Sequence, residues 1–214
     1  MDVVSDAIAA VRAGRPSSNR LRVTGRWGAR MPGYAGAGFH VVLAGSCWLL
    51  ADGHPPVRLH PGDAVLLPHG TTHTLSSGEL TPRQAERLPA LDALLALPDG
   101  HEGGRADGRA AGHDSGHDTR AGHEEPTELL CGKYRLDHGL GHPLMRELPE
   151  IVHLPTRSGA HPELRAAVDL LGTELATDLP GGRLAVPALI DLLLVYLVRA
   201  WTRREGADGW CAAL

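Results

Sequence analysis

Cysteine is scarce in this chain. The 214 residues include only three, Cys47, Cys131 and Cys211. They lie far apart and are odd in number, which argues against the disulfide framework of a small secreted domain. A strong charge of either sign is also lacking, since the formal net charge is −4 and the pI is near 6.3. The chain as a whole therefore has no electrostatic drive toward nucleic acid or an anionic membrane.

Two kinds of segment are missing as well. The N-terminus is acidic and has neither the basic region nor the long apolar core of a signal peptide, so we expect a cytoplasmic protein. No basic segment has the pattern of a recognition helix, so we expect that this chain by itself does not bind an operator. If the protein acts on DNA, another module makes the contact.

The most informative stretch is residues 61–73, with the sequence PGDAVLLPHGTTH. It consists of a turn, a mostly apolar run, a second turn built on Pro68 and Gly70, and a strand that begins at His73. Gly62 and Gly70 allow positive φ angles, and Pro68 fixes its own φ, as sharp reversals require. A short buried strand between two reversals is typical of a small antiparallel barrel, whose side chains alternate between interior and exterior.

The spacing of Gly62, Pro68, Gly70 and His73 resembles the second sequence motif of the cupin superfamily and fills every position of it. The resemblance implies a mainly β fold, a cupin-like (jelly-roll) β-barrel, with His73 at its mouth or inside it. Together with the helical patterns near the C-terminus, it predicts a barrel followed by two C-terminal α-helices.

Other segments agree with a barrel. Short apolar or alternating runs predict strands at 20–27, 39–43, 46–50, 57–59, 127–136 and 151–154. Residues 3–12 have helical spacing, and residues 33–38 are predicted to form a glycine-rich turn. The tract at about 98–126 is rich in Gly, His, Asp and Arg and cannot bury a core. We therefore predict a barrel domain over 1–158 that carries a flexible polar insertion at about 98–126.

From residue 159 the pattern becomes helical. Apolar residues recur at helical spacing from Leu164 to Leu175, and a second helix is expected from about 184 to 203. The second helix is apolar on nearly every face, but its proline and charged residues leave too short a run for a membrane span. We expect it to pack on the barrel and on a second subunit, which would make 159–214 a helical dimerisation and linker segment.

Several stretches together resemble one group, the cupin-like N-terminal effector domains of AraC-type transcription regulators. The matching stretches are residues 39–49, 61–73, 130–134, 142–144 and 148–149, with the two C-terminal helices. The resemblance implies a domain that binds a small-molecule effector, forms a homodimer through its C-terminal helices and regulates transcription by a population shift. In that family a DNA-binding module of two helix-turn-helix units follows; DNA contact is expected only through such a module, which is absent from this chain.

The resemblance also points to a metal site. Cupins draw two histidines and a glutamate from their first motif, but here small residues occupy position 33 and positions 35–38, and only His40 remains nearby. His40 shares the strand parity of the apolar Val42, so we expect it to face His73 inside the barrel. Cys131 is a third candidate ligand, because Zn²⁺ accepts mixed nitrogen and sulfur ligands. His40, His73 and Cys131 are thus a candidate site for zinc or another divalent metal.

The same residues support other functions. As hydrogen-bonded interior residues, His40 and His73 would line an effector pocket, with Trp48 and Tyr134 as further ligand-binding candidates. Cys47 and Cys131 would allow redox sensing, which requires a partly exposed thiol of lowered pKa. A metal-dependent cupin enzyme is the remaining alternative. Because most of the cupin ligand set is missing, we expect that the protein is not an enzyme.

Overall fold

The computed structural model describes residues 2–91, 126–136, 146–155, 161–177 and 179–205. The strands are β1 (Arg12–Val23), β2 (Gly28–Met31), β3 (Gly36–Ala44), β4 (Cys47–Ala51), β5 (Val57–Leu59), β6 (Ala64–Leu67), β7 (His73–Ser76), β8 (Thr127–Leu136) and β9 (Val152–Leu154). The helices are α1 (Val3–Val11), α2 (Pro82–Ala85), α3 (Pro162–Ala176) and α4 (Gly182–Glu205). The predicted insertion at about 98–126 lies almost entirely outside the described residues.

The strands form two antiparallel sheets. The larger sheet has the order β1-β8-β3-β6-β9, and the smaller has the order β2-β7-β4-β5. Alternate side chains from both sheets meet in an interior core that includes Leu21, Val42, Leu49, Val65 and Leu129. Two facing sheets with a shared interior and following helices confirm the predicted mainly β, cupin-like fold.

The larger sheet is buried on its other face as well. Phe39, Val41 and Leu130 alternate with the interior residues and join a second core that includes Leu171 of α3 and Leu194 of α4. A sheet buried on both faces requires continuous apolar strands, which explains the unbroken run in β3. Side chains of this size each contribute about 1.5–3 kcal/mol when fully buried. Helices α3 and α4 therefore form a third layer against the larger sheet.

Helix α4 contains a long apolar segment. Contrary to the expectation of too short a run, its segment Gly182–Arg204 is, by length and composition, apolar enough to cross a membrane, a criterion that the core helix of a soluble protein also meets. Its buried residues are Ile190, Leu193, Leu194, Leu197, Val198 and Ala200. They belong to the core that covers the larger sheet. The predicted packing of this helix on the sandwich is confirmed.

The N-terminal strands differ from the prediction. The expected single strand at 20–27 is replaced by β1, which begins at Arg12, and by the separate strand β2. β1 is an edge strand, and its pairing with β8 is irregular between Ala13 and Ser17. An edge strand tolerates glycine and proline at such an irregularity, so Gly14 and Pro16 do not end it.

Candidate functional site

The turns around β6 place His73 at the start of β7. Gly62 and Gly70 have φ angles of +89° and +62°, as predicted from the motif. A Cβ atom on Gly70 would lie 2.0 Å from the carbonyl oxygen of Tyr34. The amide of Tyr34 in turn donates a hydrogen bond to the carbonyl oxygen of Gly70 at 3.1 Å. The motif therefore fixes both the first residue of β7 and the segment between β2 and β3.

Three of the predicted site residues meet inside the sandwich. His40 Nε2 lies 2.7 Å from His73 Nε2, and His40 Nδ1 lies 3.1 Å from Cys131 Sγ. His73 Nδ1 lies 2.7 Å from the carbonyl oxygen of Thr71. His40, His73 and Cys131 are each 5% exposed or less. The expectation that His40 and His73 face each other in the interior agrees with this geometry.

These contacts determine which atoms of His40, His73 and Cys131 carry a proton and which accept one. The carbonyl oxygen of Thr71 only accepts, so His73 Nδ1–H donates to it. In a neutral ring His73 Nε2 is then an acceptor, and His40 Nε2–H donates to it. His40 Nδ1 is left to accept the S–H of Cys131. The result is a chain of three hydrogen bonds, here called the thiol–imidazole chain, in which all ring nitrogens are satisfied without any charge.

Burial keeps these groups neutral. Desolvation holds the pKa of His40 well below its usual range, and the nearby His73 lowers it further. Desolvation also lowers the pKa of His73, although the bond to Thr71 partly opposes this effect. The pKa of the Cys131 thiol is raised to about 12 by burial and by Cys47. Near neutral pH the chain therefore consists of two imidazoles and a thiol.

The residues do not fit the predicted metal set. Cys131 lies at Nδ1 of His40, whereas His73 lies at Nε2 of the same ring. These nitrogens point in different directions, so one ion cannot be bound by all three side chains. The described residues contain no group of three or more His, Cys, Asp or Glu side chains placed to hold a metal ion. The zinc site stays a prediction, and this arrangement offers any single ion at most two of its ligands.

A cleft opens beside the thiol–imidazole chain. It has a volume of about 390 Å³ and is lined by residues 17–19, 31–34, 90–91 and 131–133, with Gly38, His40 and His73. We call it the inner cleft. Its walls thus come from both sheets and from the segment that precedes β3, as an opening at one end of the sandwich requires.

Tyr34 is one of the lining residues that the sequence prediction missed. Its ring lies over β3, where a Cβ on Gly36 would be 2.8 Å from the ring and a Cβ on Gly38 would be 3.0 Å from its hydroxyl. The small residues at 33–38, predicted as a turn, are thus partly strand, and they make room for this ring. Two glycines at alternate positions just after a tyrosine were the available signal.

The remaining candidates lie elsewhere. Tyr134 has the opposite parity to Cys131 on β8, so it faces the helices, where its hydroxyl donates to the carbonyl oxygen of Ile190. Trp48 alternates with Cys47 on β4 and is only partly buried, so it does not join the interior core. Strand alternation directs both side chains away from the interior between the sheets. The structure therefore brings neither Tyr134 nor Trp48 to the inner cleft.

Cys47 does lie in the interior core with Cys131. Both cysteines are free, and burial raises the pKa of Cys47 to about 12, with a further contribution from Asp63. A redox-sensing cysteine requires the opposite, a lowered pKa and access to oxidant. Their environment is therefore that of buried, inert thiols.

A two-sheet sandwich with these motif turns, and with its interior histidine on β7, defines a protein of the cupin class. The chain belongs to the cupin family, because a family model described as "Cupin" matches residues 2–203. It is 28% identical to the HTH-type transcriptional regulator MtrA of Neisseria gonorrhoeae, over 96% of this chain and 60% of that protein. It is also 27% identical to an AraC-like transcription regulator of Streptomyces lividans, over 100% of this chain and 64% of that protein.

The similarity predicted from the sequence is thus confirmed by both relatives. The chain spans less than two thirds of the length of each. Among solved structures, ToxT from Vibrio cholerae O395 aligns with 91% of this chain and 56% of its own, with a TM-score of 0.44 and 8% sequence identity.

Proposed function

We propose that this chain is the effector-binding and dimerisation part of a cytoplasmic AraC-type transcription regulator. A small-molecule effector binds in the inner cleft, and DNA is contacted by a separate helix-turn-helix module. The two regulator relatives support this proposal, since they match the chain over nearly its whole length. The observation that carries it is structural: the strands that line the cleft are bonded, on their other face, to the C-terminal helices.

Strand β8 makes the first of these connections. Residues 131–133 line the inner cleft, and the next residue, Tyr134, donates its hydroxyl proton to the carbonyl oxygen of Ile190 in α4. Strand β1 makes the second. Residues 17–19 line the cleft, and Arg20 donates from Nη1 to the carbonyl oxygen of Gly172 in α3 at 3.1 Å. A shift of either strand on effector binding would therefore move a helix.

The mechanism is a change in population between two packings of the helices on the sheet. An effector shifts such an equilibrium only if it binds one packing better than the other. Arg20 is held on β1 by an ion pair with Glu128 of β8 at 2.6 Å, so the two cleft strands respond together. The DNA-binding module would then sense the changed position of α3 and α4.

Exposed apolar side chains support dimerisation through the same helices. Within the described ranges, the exposed large hydrophobic residues are Leu170, Leu179, Leu184 and Leu192, with 56%, 56%, 78% and 38% exposure. All four belong to α3, α4 or the connection between them. Concentration of exposed apolar residues in one part of the fold, here the two C-terminal helices and their connection, is typical of an interface.

Replacing Leu184 with lysine is expected to shift the protein toward monomer. The substitution places a charge on an apolar contact surface, and an uncompensated charge there opposes association. Sedimentation velocity over a range of concentrations measures the shift. Thr24→Lys adds the same charge to an exposed turn of the sandwich and is expected to leave the association unchanged; equal effects of the two variants would contradict the proposed interface.

The proposed function is that of a sensor without catalytic activity. The Cys131 thiol and both imidazoles are neutral and bonded to one another, so they provide neither a thiolate nucleophile nor a free general base. A turnover of any small substrate that depends on His73 would instead favour the enzyme alternative.

Hydrogen exchange measured by mass spectrometry tests the connection between cleft and helices. The probes are decanoate, 1-decanol and decylamine, which share an apolar chain and differ in charge. Binding of one of them in the cleft is expected to change amide exchange in α3 and α4. If a probe binds at residues 131–133 and exchange in both helices stays unchanged, the proposed signalling role is wrong.

The Tyr134→Phe variant is expected to uncouple α4 from the cleft. Loss of one buried neutral hydrogen bond destabilises the fold by about 1 kcal/mol. Because Tyr134 does not line the cleft, the Kd of a bound probe should change less than about twofold, while the exchange response of α4 falls. Tyr196→Phe, which removes a hydroxyl elsewhere on α4, is the matched control. A full exchange response in Tyr134→Phe would contradict this route.

A further inference from the structure

The smaller sheet borders a second cleft, with a volume of about 500 Å³. Residues of β2, β4 and β7, the turn after β4 and several residues of 80–86 line it. Arg30, Leu50 and Thr74 of this lining alternate along their strands with residues of the interior core. The cleft therefore lies on the outer face of the sheet, and we call it the outer cleft. Within the described chain, His73 is the one lining residue that the two clefts share.

The floor of the outer cleft carries a free hydroxyl. Thr74 pairs in register with Arg30 on β2 and with Leu50 on β4, so the three residues form one row across the sheet. Thr74 is only 4% exposed, and its hydroxyl has no hydrogen-bond partner among the described residues. Unlike the hydroxyls of Ser18 and Tyr34, it is not fully enclosed, so it opens on the cleft. A nearly buried polar group without a partner is costly, and a ligand would satisfy it.

Opposite charges lie on the two sides of this hydroxyl. Arg30 is exposed on the edge strand β2, and its guanidinium has no ion pair or hydrogen bond with a described residue. Asp52 directly follows β4, and its carboxylate is likewise unpaired within the described ranges. The strands β2 and β4 are separated by two strand spacings, about 10 Å. Glu86, at the end of α2, adds a second carboxylate to the lining.

The backbone holds both of these charged residues in place. The amide of Arg30 donates a hydrogen bond to the carbonyl oxygen of Pro89 at 2.8 Å. The turn that carries Asp52 is held by His54, whose amide donates to the carbonyl oxygen of Ala51 at 3.2 Å. The Nδ1–H of His54 also donates to the carbonyl oxygen of Asp52 at 3.0 Å. A site whose backbone is already ordered loses less entropy when a ligand binds.

This combination of groups selects the class of ligand. A free amino acid carries both charges on one carbon and is too short to reach from β2 to β4. A peptide of three residues spans up to about 10 Å and carries its two charges at opposite ends. Its peptide groups can donate to or accept from the Thr74 hydroxyl. Its central side chain would lie against the apolar lining, which consists of Leu50, Leu80, Pro82 and Ala85.

We propose that the outer cleft is a binding site for a short peptide with free ends. Arg30 binds the peptide's carboxylate, Asp52 binds its ammonium group, and Thr74 bonds to a peptide group between them. Arg30 is suited to this role because a guanidinium can donate two parallel hydrogen bonds to one carboxylate. The site is separate from the inner cleft and goes beyond the proposed effector function.

Isothermal titration calorimetry tests the inference with three probes: the tripeptide glycyl-leucyl-glycine, its N-acetyl form and its C-terminal amide. The N-acetyl form lacks the ammonium group, and the amide lacks the carboxylate. The unmodified tripeptide is expected to bind at least about tenfold more tightly than either capped form, because each cap removes one charge-assisted bond.

Two substitutions assign the ends of the peptide. Arg30→Met should weaken the unmodified and N-acetyl forms about tenfold and leave the amide unchanged, since the amide has no carboxylate to lose. Asp52→Asn should weaken the unmodified and amide forms about tenfold and leave the N-acetyl form unchanged. Thr74→Val should weaken all three probes by a smaller factor, and Thr74→Ser, which keeps the hydroxyl, should largely retain binding.

Arg58→Met is the matched control, because it removes the same charge from an exposed position of β5, in the same sheet but outside the cleft. Circular dichroism melts establish that each variant is folded. The inference is wrong if the unmodified tripeptide does not bind, if a capped form binds as tightly, or if Arg30→Met weakens the amide as well. Binding that is lost in Lys133→Met and kept in Arg30→Met would place the peptide in the inner cleft and overturn the inference too. The proposed function fails separately, when a probe bound in the inner cleft leaves exchange in α3 and α4 unchanged.

Discussion

Gly70→Ala is expected to destabilise the protein by about 3–5 kcal/mol. Two effects add. The φ angle of +62° costs a residue with a Cβ about 1–2 kcal/mol. The new Cβ would also lie 2.0 Å from the Tyr34 carbonyl oxygen and 2.8 Å from that of Gly36, which are backbone atoms that cannot turn aside. Urea denaturation at constant pH measures the loss.

Gly53→Ala separates the two effects. Gly53 has a φ of +74°, but a Cβ there would meet nothing within 4 Å. It should therefore cost only the conformational part, about 1–2 kcal/mol. Gly70→Ala should also weaken the binding of a probe in the inner cleft, because the segment that carries Tyr34 lines the cleft and must shift. Equal destabilisation by the two substitutions would show that the close approach of the motif turn to Tyr34 contributes nothing.

Acid is expected to destabilise the protein through His40 and His73. Their pKa values are lowered in the folded state, so below the unfolded pKa near 6.5 the unfolded chain binds more protons than the folded one. Stability is therefore complete above about pH 7.5 and falls as the pH decreases below about 6.5. Two such histidines would lose up to about 3 kcal/mol between pH 7.5 and 5.5, or about 1.4 kcal/mol each over that whole range.

The pH slope, not the absolute stability, is the informative measurement. Urea unfolding at a series of pH values gives the number of protons taken up on unfolding. His40→Leu should reduce that number by about one near pH 5.5, even if the variant is less stable throughout. His54→Gln, which changes an exposed histidine outside the interior, is the matched control. An unaltered slope in His40→Leu would mean that this imidazole does not stay neutral in the folded protein.

The sequence was sufficient for the parts of the fold that depend on local chemistry. The turns at Gly62 and Gly70 follow from backbone freedom, and β3, β4, β6 and β8 follow from apolar patterning. The sequence did not indicate where β1 begins, because a register irregularity in an edge strand is decided by its partner β8. The zinc prediction and the domain boundaries stay predictions.

The candidate site was predictable where strand parity alone determines which face of the sheet a side chain lies on. His40 was placed in the interior by its alternation with Val42, and the same rule applied to β8 separates Cys131 from Tyr134. Tyr34 could not be found this way, because it lies outside any strand and is positioned by contacts with Gly36, Gly38 and Gly70. The two glycines that follow Tyr34 are a local signal, but the contact with Gly70 is long-range and depends on the path of the backbone, which strand parity does not specify.

The position of Tyr34 restricts how this cupin could change. A ligand side chain restored at Gly38 would meet the Tyr34 hydroxyl, and one restored at Gly36 would meet the ring and the backbone of Tyr134. Removal of Tyr34 alone would leave a void beside the interior histidines. A side chain at Gly38 therefore requires the loss of Tyr34, whereas at Gly36 the Tyr134 carbonyl oxygen excludes one even without that ring. A single substitution therefore cannot place a metal ligand at either position without moving Tyr34 or the backbone of Tyr134.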